Sequence, residues 1–389
     1  MLAIRAARLF DSRAGRLIDR PLLLVEDGAI AAVEVGDIPP PEGATLIDLG
    51  DATLLPGLID VHVHLGFDAG RDPVARMLAD DDHTLLLRMA MHARRALRAG
   101  VTTVRDLGDR NYLGVTLRDW FRSGAEPGPE ILAAGPPITI TGGHCYFMNG
   151  EVDGELGIRR GVREHVKQGV DVIKVMATGG NMTPGTNPLA PQFTVGELRS
   201  AVEEAHRLGK KLTAHAHAAV GIKIATDAGV DSIEHGTFQV ADGIHADQAL
   251  IEQIAAQGIA VAPTIGRPPW SPLPPQVEAR REERYKIIER MYRAGVRLVT
   301  GTDAGIGGVP HDSAIWSIRA FTRTGLSNAA ALQTATSAAA DSCGIENRKG
   351  HLAPGMDADI LAVGGDVLAD LNALDDVRAV YRAGVRVAG

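Results

Sequence analysis

Residues 207–235 read RLGKKLTAHAHAAVGIKIATDAGVDSIEH and contain the same joint twice. An amphipathic stretch ends in a glycine, Gly209 or Gly229, and a β-rich run ending in a histidine follows at once. Glycine after the last helical residue supplies a left-handed C-cap, and a run rich in Val, Ile and Thr is what a strand buried on both faces looks like. The joint recurs in RAGVTTVRD (98–106), KQGVDVIKV (167–175), AQGIAVAPT (256–264) and RAGVRLVTGTD (293–303). Adding the apolar run before His62 and ILAAG at 131–135 gives eight candidate parallel strands with helices between them. Eight such units over roughly 290 residues predict an α/β chain folded as a (β/α)8 barrel.

Outside this region the texture changes. Residues 1–54 and 346–389 are strand-like with GD, DG and PG turns, which predicts short antiparallel strands. We expect them to form one small β domain, a sandwich drawn from both termini, around a catalytic barrel at 55–345. Thr194-Val-Gly-Glu197 is a capping-box pattern and predicts a helix start. The Gly-, Pro-, Asn- and Thr-rich segments 136–150, 177–193 and 264–280 are expected βα loops, where barrels keep substrate contacts.

A barrel gathers the C-terminal ends of its strands at one mouth, so the polar residues at those ends carry the functional signal. Lys174 lies five residues after Gly169, His215 six after Gly209, His235 six after Gly229 and Asp303 eight after Gly295. His62 and His64 stand in LLPGLIDVHVHL, where strand alternation points both to one face about 7 Å apart. An isolated HxH is as consistent with satisfied core histidines as with ligands. In company with His215, His235 and Asp303 it reads as part of a metal site, because imidazole and carboxylate suit a cation such as zinc. Five ligands exceed what one catalytic zinc needs, so two divalent ions are expected, zinc first, with Mn, Co or Fe as alternatives. Lys174, alone in the apolar run VDVIKVMATGG, cannot bind metal as an ammonium. Carboxylated by CO2, it becomes an anion able to bridge two ions. The competing reading is an ion pair with Asp303 in a metal-free barrel.

These stretches resemble the amidohydrolase superfamily, in particular its binuclear members with a carboxylated lysine. GLIDVHVHL, VIKVMATGG, AHAH, IEHGT and GTDAG are similar to the family's signatures on strands 1, 4, 5, 6 and 8, and HLAPGMDADILAV to its return into the β domain. The resemblance implies a TIM barrel in which His62, His64 and Asp303 hold one metal, His215 and His235 the other, and Lys174 bridges them. Within AHAH it selects His215 as the ligand and leaves His217 to orient a ligand or touch substrate. Gly142-Gly143-His144 and the ATGG after Lys174 resemble the branch of prolidases, Xaa-Arg/Lys carboxypeptidases and ochratoxin-type amidases. In that branch the histidine of GGH binds substrate, a role the resemblance gives to His144. The branch's peptidases are expected to carry a tyrosine after the strand 7 PT, and this chain reads PTIGRPPW instead. Arg267 in that segment is a candidate for a substrate carboxylate, with a solvated loop arginine as the alternative.

The expected chemistry is hydrolysis of an amide in a small substrate, a dipeptide or an N-acyl amino acid, by water activated between the metals. Asp303 would pass the proton to the leaving amine, with His144 or His217 steadying the oxyanion. Cyclic amides or imides, ureas, lactones and phosphotriesters suit the same centre, and a non-catalytic scaffold is the remaining alternative. A net charge of −8 without a basic stripe argues against nucleic acid. Cys145 and Cys343 are too few for a disulfide framework and match no Cys/His nucleophile pattern. No run of roughly 20 apolar residues suggests a membrane span. A cytoplasmic homo-oligomer is expected.

Overall fold

A computed structural model describes residues 1–389, with every side chain except that of Gln276. The N-terminal strands are β1 (Leu2–Arg5), β2 (Arg8–Asp11), β3 (Arg16–Asp19), β4 (Pro21–Glu26), β5 (Ala29–Val35), β6 (Thr45–Asp48) and β7 (Ala52–Pro56). The central ones are β8 (Leu58–Val63), β9 (Val101–Asp106), β10 (Glu130–Ala133), β11 (Val172–Met176), β12 (Lys211–Ala218), β13 (Ser232–Val240), β14 (Gly243–Ile244), β15 (Ala260–Ala262) and β16 (Arg297–Leu298). β17 (Ile360–Gly364), β18 (Val377–Arg382) and β19 (Val385–Ala388) close the chain.

All eight strands expected from the joints are present, as β8 to β13, β15 and β16. The six glycines of the repeated joint take φ between 67° and 89°, the left-handed region in which any other residue costs about 1 kcal/mol or more. Thr194 and Glu197 form the reciprocal capping box at the start of the 195–207 helix.

The central strands form two parallel arcs, β10-β9-β8 and β11-β12-β13-β15-β16, and not one continuous ladder. Backbone hydrogen bonds span both seams. At one, Ile138 N donates to Lys174 O and Met176 N to Ile138 O, both 2.8 Å. At the other, Val61 N donates to Thr300 O at 2.9 Å and Asp303 N to His62 O at 2.8 Å. Local chemistry interrupts each ladder. Pro136 and Pro137 have no N–H to give. Gly301 packs so closely that a Cβ there would sit 2.8 Å from the Cβ of His62.

The termini do meet. β17, near the C-terminus, pairs antiparallel with β7 over Ile360–Gly364, in the sheet β19-β18-β17-β7-β2-β3. The other terminal sheet is β5-β4-β1-β6. Ile4, Leu23 and Val25 of one sheet and Leu9, Leu54, Ile360 and Tyr381 of the other share a buried apolar cluster. The expectation of purely antiparallel strands needs correction, since β1 pairs with β6 and β2 with β7 in parallel. In each case the chain leaves to build other strands and returns on the same side, which reverses the direction a hairpin would give. Residues 346–359 form no strand. Among the described residues no helix is long and apolar enough to cross a membrane.

A charged cluster ties β10 to the C-terminal segment. Lys349 Nζ lies 3.2 Å from Glu130, 3.0 Å from Asp357 and 2.5 Å from Asp359, while Arg348 and Arg382 reach Glu130 at 2.7 and 3.4 Å. Burial alone would raise the Glu130 pKa, but Lys349, Arg348 and Arg382 outweigh it and hold the carboxyl at about 2, below its ordinary 4.5. A carboxyl depressed in the folded state stabilises above its unfolded pKa and loses that contribution as pH falls towards the folded value. Glu130→Gln should therefore flatten the loss of stability between pH 4.5 and about 2. Acid-denaturation midpoints identical in the two proteins would contradict this.

Candidate metal centre and active site

Each residue singled out in the sequence reaches the same place. His62, His64, His144, Lys174, His215, His217, His235, Arg267 and Asp303 all line one cavity of about 510 Å³ at the C-terminal ends of the strands. The backbone there departs from regular strand geometry. His235, Thr264 and Asp303 have φ of 70°, 49° and 61°, a conformation costing a non-glycine residue about 1–2 kcal/mol. Strain concentrated at converging polar ends is characteristic of functional sites.

Two groups of donors stand out. His62 Nε2 lies 3.3 Å from His64 Nε2, and both lie within 3.4 Å of Asp303 Oδ1. His62 Nδ1 is 2.9 Å from Glu234 Oε2, which places the ring proton on Nδ1 and leaves Nε2 as a lone pair facing Asp303. His215, His217 and His235 form the second group, with one ligand atom of each within 4.8 Å of the others. His235 Nδ1 contacts Thr264 Oγ1 at 3.0 Å, and His217 Nδ1 contacts Thr237 Oγ1 at 3.0 Å.

In the same cavity, Lys174 is 1% exposed and its Nζ has no hydrogen-bond partner. Burial lowers its pKa to about 8, overriding the attraction of Glu234 and Asp303. The Asp303 ion pair considered from the sequence is absent among the described contacts. Burial would raise the Asp303 carboxyl, but His62, His64 and Lys174 hold it well below the usual carboxylate range. Burial drives the imidazole pKa values down, to about 4 at His144 and about 3 at His217. These rings are neutral near pH 7, the state that binds cations. Converging lone pairs, neutral imidazoles and an unpartnered buried amine fit divalent metal ions. Cys145 is no nucleophile, since burial pushes its thiol up to about 12.

The profile of the amidohydrolase family matches residues 53–387. The chain belongs to this family. It is a hydrolase acting on amide bonds, and the family's fold is the TIM barrel. Among curated proteins, the ochratoxinase of Aspergillus niger is 29% identical over 368 residues, covering 84% of this chain and 73% of the relative. A crystal structure of a Xaa-Pro dipeptidase with methionine bound in its active site superposes with a TM-score of 0.89 at 30% identity and complete coverage of both chains. The crystal structure of the A. niger ochratoxinase gives 0.85 at 27% identity, covering 100% of this chain and 96% of the other.

In this amidohydrolase, residues that the sequence did not single out also border the site. Glu234, fully buried, accepts from Arg105 Nη2 at 2.7 Å and Thr213 Oγ1 at 2.5 Å while facing His62. Asp60 accepts from Thr302 N at 3.0 Å and Thr302 Oγ1 at 2.6 Å, locking the first strand to the segment carrying Asp303. Arg284 lines the cavity from the 281–293 helix. Glu234 had a signal, a carboxylate beside His235 in the strand run DSIEH, but alternation should have turned it away from the face of His235. The left-handed turn at His235 breaks the pleat and lets consecutive residues serve the interior.

Proposed function

We propose that the protein hydrolyses the amide bond of a small substrate, a dipeptide or N-acyl amino acid, at a centre of two divalent ions, zinc first. The observation that carries this reading is that both donor groups and the unpartnered amine of Lys174 line one cavity. His62, His64 and Asp303 would hold one ion and His215 and His235 the other, with Lys174 as a carbamate between them. Such ions, when bound, polarise a carbonyl and make water acidic enough to attack it near neutral pH.

The chain's own residues supply the rest. Asp303, acceptor-only when ionised, takes the proton from the attacking water and passes it to the departing nitrogen, which leaves only as an amine. The hydroxyl of Thr237 is donated to His217 O at 3.0 Å, so it receives the Nδ1 proton of His217 and leaves Nε2 as an acceptor. His217 is thereby suited to an N–H of the substrate. The oxyanion falls to His144, whose neutral ring still carries one N–H to donate. Arg267 is placed to meet a substrate carboxylate. The reading also takes residues 1–54 and 346–389 as one composite β-sandwich domain and 55–345 as the catalytic barrel.

The relatives support an amide: one is called an ochratoxinase, another a Xaa-Pro dipeptidase. The test is a screen of zinc- or manganese-loaded enzyme against dipeptides, N-acyl amino acids, cyclic amides, lactones and phosphotriesters. Turnover of the first two classes, abolished by chelation and restored by metal, is the expected result. Activity confined to lactones or phosphotriesters would overturn the proposal. An electron-density map of the metal-loaded protein without extra atoms on Lys174 Nζ would remove the carbamate.

A further inference from the structure

The cavity wall beyond the metal donors is basic, although the chain carries a net charge of −8. Arg267, Arg280 and Arg284 all line it, and Asp303 is the sole carboxylate among the lining residues. Arg267 donates through Nη2 to Ser271 Oγ and to Gly307 O, which fixes it beside the loop that follows Asp303. Arg284 donates through Nη2 to Pro263 O, at the end of the seventh barrel strand. Each keeps a buried Nε with no partner, and the described partners of both guanidinium groups are a hydroxyl and backbone carbonyls, not carboxylates. Other half-buried arginines, such as Arg118 with Asp171 and Arg110 with Asp82, do pair with a carboxylate.

A half-buried guanidinium with an unmade hydrogen bond has lost part of its hydration without compensation, and a planar carboxylate is its natural complement. Two such groups, held by separate backbone carbonyls in one cavity, call for two anions. The metal donors take Asp303 for themselves through His62 and His64. We infer that the substrate is dianionic: an amide whose amino-acid portion bears two carboxylates, as in an N-acyl glutamate or a dipeptide ending in an acidic residue, with Arg284 receiving one and Arg267 the other. Arg280, exposed at the rim, adds to the field that draws an acidic ligand in. This rests on the amide reading and deepens it by naming the substrate class.

Two measurements separate the inference from that reading. In the first, kcat/KM is compared for N-acetyl glutamate, N-acetyl glutamine, N-acetyl leucine and the α-amide of N-acetyl glutamate. The glutamate should exceed each of the three singly charged partners by about 10- to 100-fold, mostly through KM. Arg284→Gln and Arg267→Gln should each erase the preference for one of the two carboxylates. The charge-retaining Lys variants should keep part of it. In the second, glutarate, its monoamide and butyrate are titrated against the metal-loaded enzyme and binding is read as a rise in melting temperature, which requires no turnover. Stabilisation by glutarate alone, lost in either Gln variant, is expected. Amide turnover with equal kcat/KM for all four substrates would overturn the inference and leave the amide reading intact. Arginine-dependent glutarate binding without amide turnover would do the reverse.

Discussion

Asp303→Asn should lower kcat about a thousandfold with little change in KM. Asparagine matches the shape of the aspartate and keeps one carbonyl oxygen near the Nε2 atoms of His62 and His64, now 3.4 and 3.3 Å from Asp303 Oδ1. What it removes is the negative charge and the ability to take up a proton and hand it on. Without that relay the nitrogen must leave as an anion, so the loss falls on the chemical step and not on binding. Metal content is the companion measurement, because a ligand lost with the charge would mimic a lost base. A variant that retains metal and turns over at near-normal kcat would end the assignment of Asp303 as the proton carrier.

The second large effect concerns a residue away from the reacting atoms. Glu234→Ala leaves the guanidinium of Arg105, 2% exposed, buried with its carboxylate removed and only Val61 O at 2.6 Å and Ser232 Oγ at 3.4 Å remaining. Breaking one side of a buried pair costs about 3–5 kcal/mol, so the urea midpoint should fall well below that of the parent. The substitution also frees Nδ1 of His62, and loss of such a partner weakens a metal site by about 10- to 100-fold. Arg105→Met combined with Glu234→Leu should recover stability without recovering metal affinity, because it removes the stranded charge but not the disorder of His62. A Glu234→Ala unfolding free energy within about 1 kcal/mol of the parent would show that Arg105 finds another partner.

What the sequence disclosed follows from how local each signal is. A capping glycine and the strand after it lie within a few residues of each other, so the joints, the eight strands and the offsets to Lys174, His215, His235 and Asp303 were readable without tertiary information. The same holds for the Thr194–Glu197 capping box. Features created by packing were hidden. Glu234 went unmarked, since pleating by default turns it away from the face of His235, and the φ of 70° at His235 overrides that default. Arg284 sits in REERYKIIER among charges that mostly face solvent, and no pattern in the helix marks it as the one lining the cavity. The parallel pairings of β1 with β6 and β2 with β7 depend on where the chain returns, which strand propensity does not encode.

The seam between the first and last barrel strands also sets when the centre can exist. Asp60 and Thr302 are 242 positions apart, yet their hydrogen bonds align His62 and Asp303 on the two sides of that seam. Contacts of such long range bear the full entropy of closing the intervening chain and form late in folding. During synthesis the nascent chain carries His62 and His64 long before it possesses Asp303. If His62, His64 and Asp303 hold a metal ion as proposed, its capture at this seam would be a maturation step that follows ring closure, reporting a completed barrel instead of templating one.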